Sequence, residues 1–177
     1  MKKTVLFVAL ISAFVSCKKS NSGSGGYHMT ATIDSKGKNF NATPPIASRL
    51  MSGNVLSDLT ITGVLNPSTG ESMILQIDNN FSDKSIVAGT YSDTSTSFGI
   101  QAIYTVSLAT QYYGGSAITD EAANAGAPIK NHVKIVITSI DDKTVKGTFS
   151  GDLYANGDVS GTPTPMINGD FYAAFGN

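Results

Sequence analysis

Two hydrophobic patterns divide the chain. Val5 to Val15 (VLFVALISAFV) is an unbroken apolar run behind Lys2 and Lys3, whereas from Tyr27 onward apolar residues alternate with polar ones. The alternation is clearest near the C-terminus. Val133, Ile135 and Ile137 share one side of a run whose other side carries His132, Lys134 and Thr138. Val145, Gly147, Phe149, Gly151 and Leu153 repeat the pattern after Asp141-Asp142. Ile167, Gly169, Phe171, Ala173 and Phe175 repeat it again after the turn-rich stretch from Ala155 to Pro165. Side chains along a strand alternate between faces, so the three runs predict an antiparallel meander with one buried face.

Earlier runs obey the same period with more interruptions. Met29–Asp34 and Asn39–Thr43 flank Ser35-Lys36-Gly37, which predicts a hairpin with Gly37 supplying the positive φ. Leu59, Ile61 and Leu65 predict one strand, Met73, Leu75 and Ile77 the next, with Asn66-Pro67-Ser68-Thr69-Gly70 as the turn. Phe98 to Leu108 predicts a long strand. No window sustains helical spacing over three turns; the best short candidate is Thr119 to Ala125, capped by Thr119 or Asp120 and ended by Gly126. About eight to ten strands joined by Gly, Asn, Asp and Pro turns predict an all-β antiparallel sandwich, with a closed, lipocalin-like barrel as the alternative. Uneven strand and loop lengths favour the sandwich. Polar outward positions (Lys, Thr, Ser, Asp) argue against a membrane barrel, whose outer band is apolar.

The first apolar run has a different meaning. Eleven residues at about 1.5 Å each cover about half of a ~30 Å hydrocarbon core, so the run reads as a secretory signal and not as a spanning helix. Phe14-Val15-Ser16-Cys17 resembles a bacterial lipobox, with Phe14 standing where leucine is usual. That resemblance implies diacylglycerol on the Cys17 sulfur, cleavage before Cys17 and acylation of the new amine. The predicted organisation is then a signal over 1–16, a lipidated Cys17 with a Gly/Ser tether over 17–26 (SNSGSGG follows Lys18-Lys19), and one β-domain over 27–177.

Composition sharpens this picture. The chain has 177 residues, 12 basic and 13 acidic, with 14% charged residues against a usual ~25%. Lys2, Lys3, Lys18 and Lys19 precede the domain while every acid lies within it, leaving eight basic against thirteen acidic side chains. A mildly acidic domain without a basic stripe predicts no nucleic-acid partner. Its membrane partner would be held by acyl chains, since surface charge of this sign is not attracted to anionic lipid. Cys17, the only cysteine, makes an internal disulfide impossible and leaves too few soft ligands for a zinc site.

Candidate chemistry is sparse. No G-x-S-x-G elbow, P-loop, H-E-x-x-H or dinucleotide glycine motif occurs. A Ser-His-Asp set would have to use His28 or His132, and His132 starts a strand on its polar side. Asp78, Asn80 and Ser82 stand at the first three offsets of a calcium loop, but Asp83 replaces its glycine and Gly89 its bidentate glutamate. A plain Asx-rich turn accounts for them more simply. Tyr112-Tyr113-Gly114-Gly115 is the most exposed-looking aromatic cluster; both rings would meet a ligand only if this stretch is a loop. The expectation is therefore a non-catalytic chain with no cofactor and a binding or structural duty, the partner being an envelope protein or a glycan. A small apolar-ligand carrier and an envelope hydrolase are the alternatives.

Short motifs also resemble a known family. Ala31-Thr32-Ile33-Asp34 with Gly37 and Phe40, Lys146-Gly147-Thr148-Phe149 and the closing Gly169-Asp170-Phe171 are similar to an "I-D-G … F" start, a "K-G-T-F" strand and a "G-x-F" strand. These recur in small Bacteroidota-type lipoproteins built on one β-domain of uncharacterised function. The resemblance implies an outer-membrane lipid-anchored protein. The neutral and basic residues after Cys17 imply the periplasm-facing side.

Overall fold

The computed structural model describes residues 26–79, 82–107 and 109–176. Among them are eleven strands and one short helix: β1 (His28–Ile33), β2 (Lys36–Asn39), β3 (Thr43–Ser52), β4 (Val55–Asn66), β5 (Glu71–Asp78), β6 (Gly89–Ser92), β7 (Gly99–Ser107), β8 (Thr110–Gly115), α1 (Ser116–Ala125), β9 (Lys134–Ile140), β10 (Thr144–Ala155) and β11 (Thr164–Phe175). The hydrogen-bonded order is β2-β1-β11-β3-β4-β5-β7-β8-β10-β9-β6, with β10 also paired to β11. All pairings between these strands are antiparallel except β11 with β3. The result is an all-β fold with sandwich-like layers, β3-β4-β5-β7-β8 facing β2-β1-β11-β10-β9-β6. β10 and β11 each belong to three ladders, so the sheet branches at both, and the succession β11-β3-β4-β5-β7-β8-β10 returns to β11 through the β10–β11 pairing.

The period-2 pattern explains the core. Leu59, Ile61, Met73, Leu75 and Ile77 from one layer meet Met29, Ile135, Ile137, Phe149 and Phe171 from the other, all at most 2% exposed. Each such side chain contributes about 1.5–3 kcal/mol on leaving water. The predicted meander is β9-β10-β11, with Gly147 opposite both Ile137 and Phe171. Two glycines make its packing possible. A Cβ on Gly147 would sit 2.6 Å from Phe171 Cζ, and one on Gly169 would sit 2.6 Å from the Phe149 ring. Each ring thus lies over the glycine of the neighbouring strand. At Gly151 (φ 150°) the ladder shifts register, β10 leaves β9, and Tyr154 and Ala155 reach Tyr113 and Tyr112 of β8. β10 is therefore the corner strand that joins the layers.

Several local expectations change. β3 carries Pro44 and Pro45, which conceal it in the sequence; both fall in the register shift between Thr43 and Ile46, where the ladder does not need their missing N–H groups. The first hairpin turns at Asp34-Ser35, not at Gly37. Ile33 pairs with Lys36, and Asp34 (φ 48°) and Ser35 (φ 60°) form a two-residue turn of the I′ kind. Gly37 is an ordinary member of β2, so the second strand starts and ends earlier than its hydrophobic pattern suggests. The helix begins three residues before Thr119. Gly115 precedes it without a side-chain cap, and it ends as expected at left-handed Gly126. Gly126 N–H donates to Ala123 O (3.2 Å) and Ala127 N–H to Ala122 O (2.8 Å), satisfying the last carbonyls. No helix among the described residues is long and apolar enough to cross a membrane.

Candidate functional site

At one end of the sandwich, edge strand β2 faces β5, β7 and β8, and the apolar core gives way to a polar cluster. Lys38 Nζ donates to Glu71 Oε1 (2.8 Å), and Tyr104 Oη donates to the same oxygen (2.6 Å). The Lys38 and Glu71 side chains are 24% and 14% exposed, and Tyr104 as a residue only 4%. Such burial of an ion pair costs desolvation that its attraction only partly offsets, which makes the cluster a candidate for a role beyond stability.

The chain places these groups by parity. Lys38 on β2 is two residues before Phe40, which follows the strand, and Glu71 is two before Met73 on β5, so each lies on the inward side. Tyr104 pairs with Met73 on one side and with Tyr112 on the other. The Tyr104 and Tyr112 rings stack with centroids 6.0 Å apart at 29°, while Phe40 meets Tyr104 edge-on at 6.0 Å. Lys38 Nζ lies 5.6 Å from the Tyr104 ring centre. Burial acts against the charge on Glu71, but the bonds from Lys38 and Tyr104 outweigh it and hold the carboxyl below its ordinary 4.5. The hydrogen bond to Glu71 leads in raising Lys38 above 10.5, and burial leads in raising Tyr104 above 10.0. At neutral pH the cluster is a closed pair with a neutral phenol. Beside it opens a cleft of about 200 Å³ whose walls include Ile33, Lys36, Lys38, Tyr104, Val106 and Tyr112.

Of the sequence candidates, Tyr112 belongs to this cleft and Tyr113 does not. The stretch is strand β8, so Tyr113 faces the other way and its hydroxyl donates to Gln111 Oε1. The geometry separates the two rings that a loop would have presented together. Asp78 closes β5, and buried Asn79 braces the following turn by donating to Ser82 O (2.9 Å) and Lys84 O (3.1 Å). Ser82 Oγ accepts from Lys84 N (3.3 Å). Asn80 lies outside the described residues, as does Cys17. No group of three His, Cys, Asp or Glu side chains is gathered at one point among the described residues.

Both histidines pair with aspartates. His132 Nδ1 is 2.8 Å from Asp93 Oδ1, while Asp93 Oδ2 accepts from Val133 N (2.9 Å) and Asp93 N donates to Val133 O (3.2 Å). This buried carboxylate staples β6 to the segment entering β9. Asp152 does the same for Asn131, accepting from its backbone N (3.2 Å) and side-chain Nδ2 (3.0 Å). His28 holds Gly26 O through Nδ1 (3.0 Å) and Asp170 through Nε2, beside Tyr172, on which Tyr27 and Lys146 Nζ also rest. Two acceptors on the two ring nitrogens require both to carry protons. Burial opposes the charge, and the Gly26 and Asp170 bonds outweigh it, so His28 is raised above 6.5. Among the described residues neither histidine is hydrogen-bonded to a serine hydroxyl, the contact a Ser-His-Asp set would use. Sequence reasoning missed Lys38, Glu71 and Tyr104 as a group. Comparison with protein-family models, with curated proteins and with solved structures finds no match.

Proposed function

We propose that the chain is a lipid-anchored protein of the cell envelope, held at the outer membrane by acyl chains on Cys17, whose β-domain binds a partner and carries out no chemistry. The observation that carries the reading is the order of the sequence: apolar signal, lipobox ending at Cys17, Gly/Ser tether, then alternating strands. The likeness of the short strand motifs to small Bacteroidota-type lipoproteins supports it, and the neutral and basic residues after Cys17 favour the periplasmic face. The binding duty is supported by the cleft beside Lys38, Glu71 and Tyr104. The close packing of Met29, Phe40, Phe171, Leu59 and Ile61 between the layers favours a surface site over an enclosed apolar cavity. Growing expressing cells with an alkyne-tagged fatty acid tests the anchoring. The chain becomes labelled and sediments with membranes, and Cys17→Ser loses both properties. An unlabelled wild-type chain in the soluble fraction overturns the proposal.

A further inference from the structure

Resting on the binding duty just proposed, we infer that the cleft between β2 and the β7–β8 pair seats one neutral sugar ring. Its size sets the scale. At about 200 Å³ it is smaller than the ~300–1,000 Å³ of pockets for drug-sized ligands, so it suits a single ring. Its charges are already balanced: Lys38 is held by Glu71 at 2.8 Å, and Lys36 lies 3.8 Å from Asp34. Lys36 and Lys38 in the wall are offset by Asp34 in the wall and by Glu71 behind it, so the cleft offers no net charge to an anion or a cation, and a neutral polyol needs none.

The polar groups that remain suit hydroxyls. Among the described residues Tyr112 Oη makes no hydrogen bond, and Lys38 spends one of its three donors on Glu71. A phenol both donates and accepts, and an ammonium donates, so neighbouring sugar hydroxyls find partners of both kinds. Tyr104, Tyr112, Val106 and Ile33 supply the apolar wall against which the C–H face of a pyranose packs. Glu71 stands behind Lys38 and Tyr104 as a positioning residue. Its single Oε1 fixes both, so the wall is set before a ligand arrives.

The experiment titrates the full chain, in a zwitterionic detergent free of sugar headgroups, with methyl glucoside, galactoside, mannoside and N-acetylglucosaminide. Inorganic phosphate and glucosamine serve as charged comparators. With seven tyrosines and no tryptophan, tyrosine emission reports the site, and calorimetry measures binding independently. At least one neutral pyranoside saturates near ~1 mM, the affinity that a ligand of about a dozen heavy atoms reaches at modest efficiency. Tyr112→Ala weakens it at least tenfold, Tyr112→Phe about threefold, and Tyr113→Phe on the opposite face not at all. Should Tyr112→Ala fail to fold, the contrast between Tyr112→Phe and Tyr113→Phe decides. Glu71→Gln keeps size but loosens Lys38, and it weakens the sugar about threefold. No saturation by any neutral pyranoside, preference for a charged comparator, or equal binding by the Tyr112 variants overturns the inference. Acyl labelling at Cys17 is read separately, so a failed sugar titration leaves the anchoring to stand or fall by itself.

Discussion

Replacing Gly147 by alanine adds one methyl group at the point where the meander is tightest. The new carbon would lie 2.6 Å from Phe171 Cζ and 2.9 Å from Cε1, against an ordinary contact of 3.4–4 Å. It would also press on the Val136 carbonyl of the paired strand. Neither neighbour yields cheaply. Phe171 is 1% exposed and packed against Phe149 at 6.3 Å between ring centres, while Val136 is tied into the β9–β10 ladder. Overpacking typically costs 1–3 kcal/mol, and a clash with backbone belongs at the top of that range, so the expected loss is about 3 kcal/mol. For a domain of this length each kcal/mol lowers Tm by roughly 2–4 °C, so the transition falls by roughly 6–12 °C. Thermal and urea unfolding followed by far-UV circular dichroism measure it. Gly37→Ala is the control, since its Cβ meets nothing within 4 Å and Gly37 lacks a positive φ; it shifts stability by less than about 0.5 kcal/mol. Combining Gly147→Ala with Phe171→Leu trims the ring and costs less than the two single losses together. A Gly147→Ala chain melting within 2 °C of wild type, roughly 0.5–1 kcal/mol, would falsify the account of ring-over-glycine packing.

Three further outcomes follow from the same geometry. Ser35 takes φ 60°, where glycine has no Cβ penalty, so Ser35→Gly stabilises by about 1 kcal/mol in the same unfolding assay; a loss contradicts the Asp34-Ser35 turn. His28 is raised above 6.5, so its contribution is complete below the unfolded value and disappears as pH rises through the folded one. Tm of wild type measured from pH 5 to 8 therefore declines relative to His28→Gln, and parallel curves refute the doubly bonded imidazolium. Lys38→Met leaves the Glu71 carboxylate without its cation and costs about 1–2 kcal/mol in urea unfolding, while Lys38→Met with Glu71→Gln, which removes the charge and keeps an acceptor for Tyr104, recovers most of it. If the pair of changes is no better than Lys38→Met alone, Glu71 is not held by Lys38.

How far the sequence discloses this molecule depends on which physical signal each part uses. β9, β10 and β11 are legible because one face is buried along each strand, which forces a strict period of two. β3 is not, since its prolines work only in a bulge that needs a partner strand to define it, and Ile46 and Leu50 remain 55% and 63% exposed. β6 is four residues long and is held by Tyr91 and by the Asp93 staple, both tertiary features. The turn at Asp34-Ser35 hides because neither residue is the glycine that its backbone favours. The cleft was within reach of parity. Lys38 and Glu71 are charged residues at positions where the alternation set by Phe40 and Met73 points inward, and an inward charge is a signal in itself. That Tyr104 would join them required the register of β5 with β7. Tyr112 stands out in the sequence by its aromatic character; only the β7–β8 ladder separates it from Tyr113.

Anchoring is the center of the account, and intact mass spectrometry of the chain purified from native membranes tests it most directly. The prediction is a polypeptide that begins at Cys17 and carries diacylglycerol on sulfur with an acyl group on nitrogen. A chain that retains residues 1–16, or one that begins elsewhere with an unmodified Cys17, contradicts it.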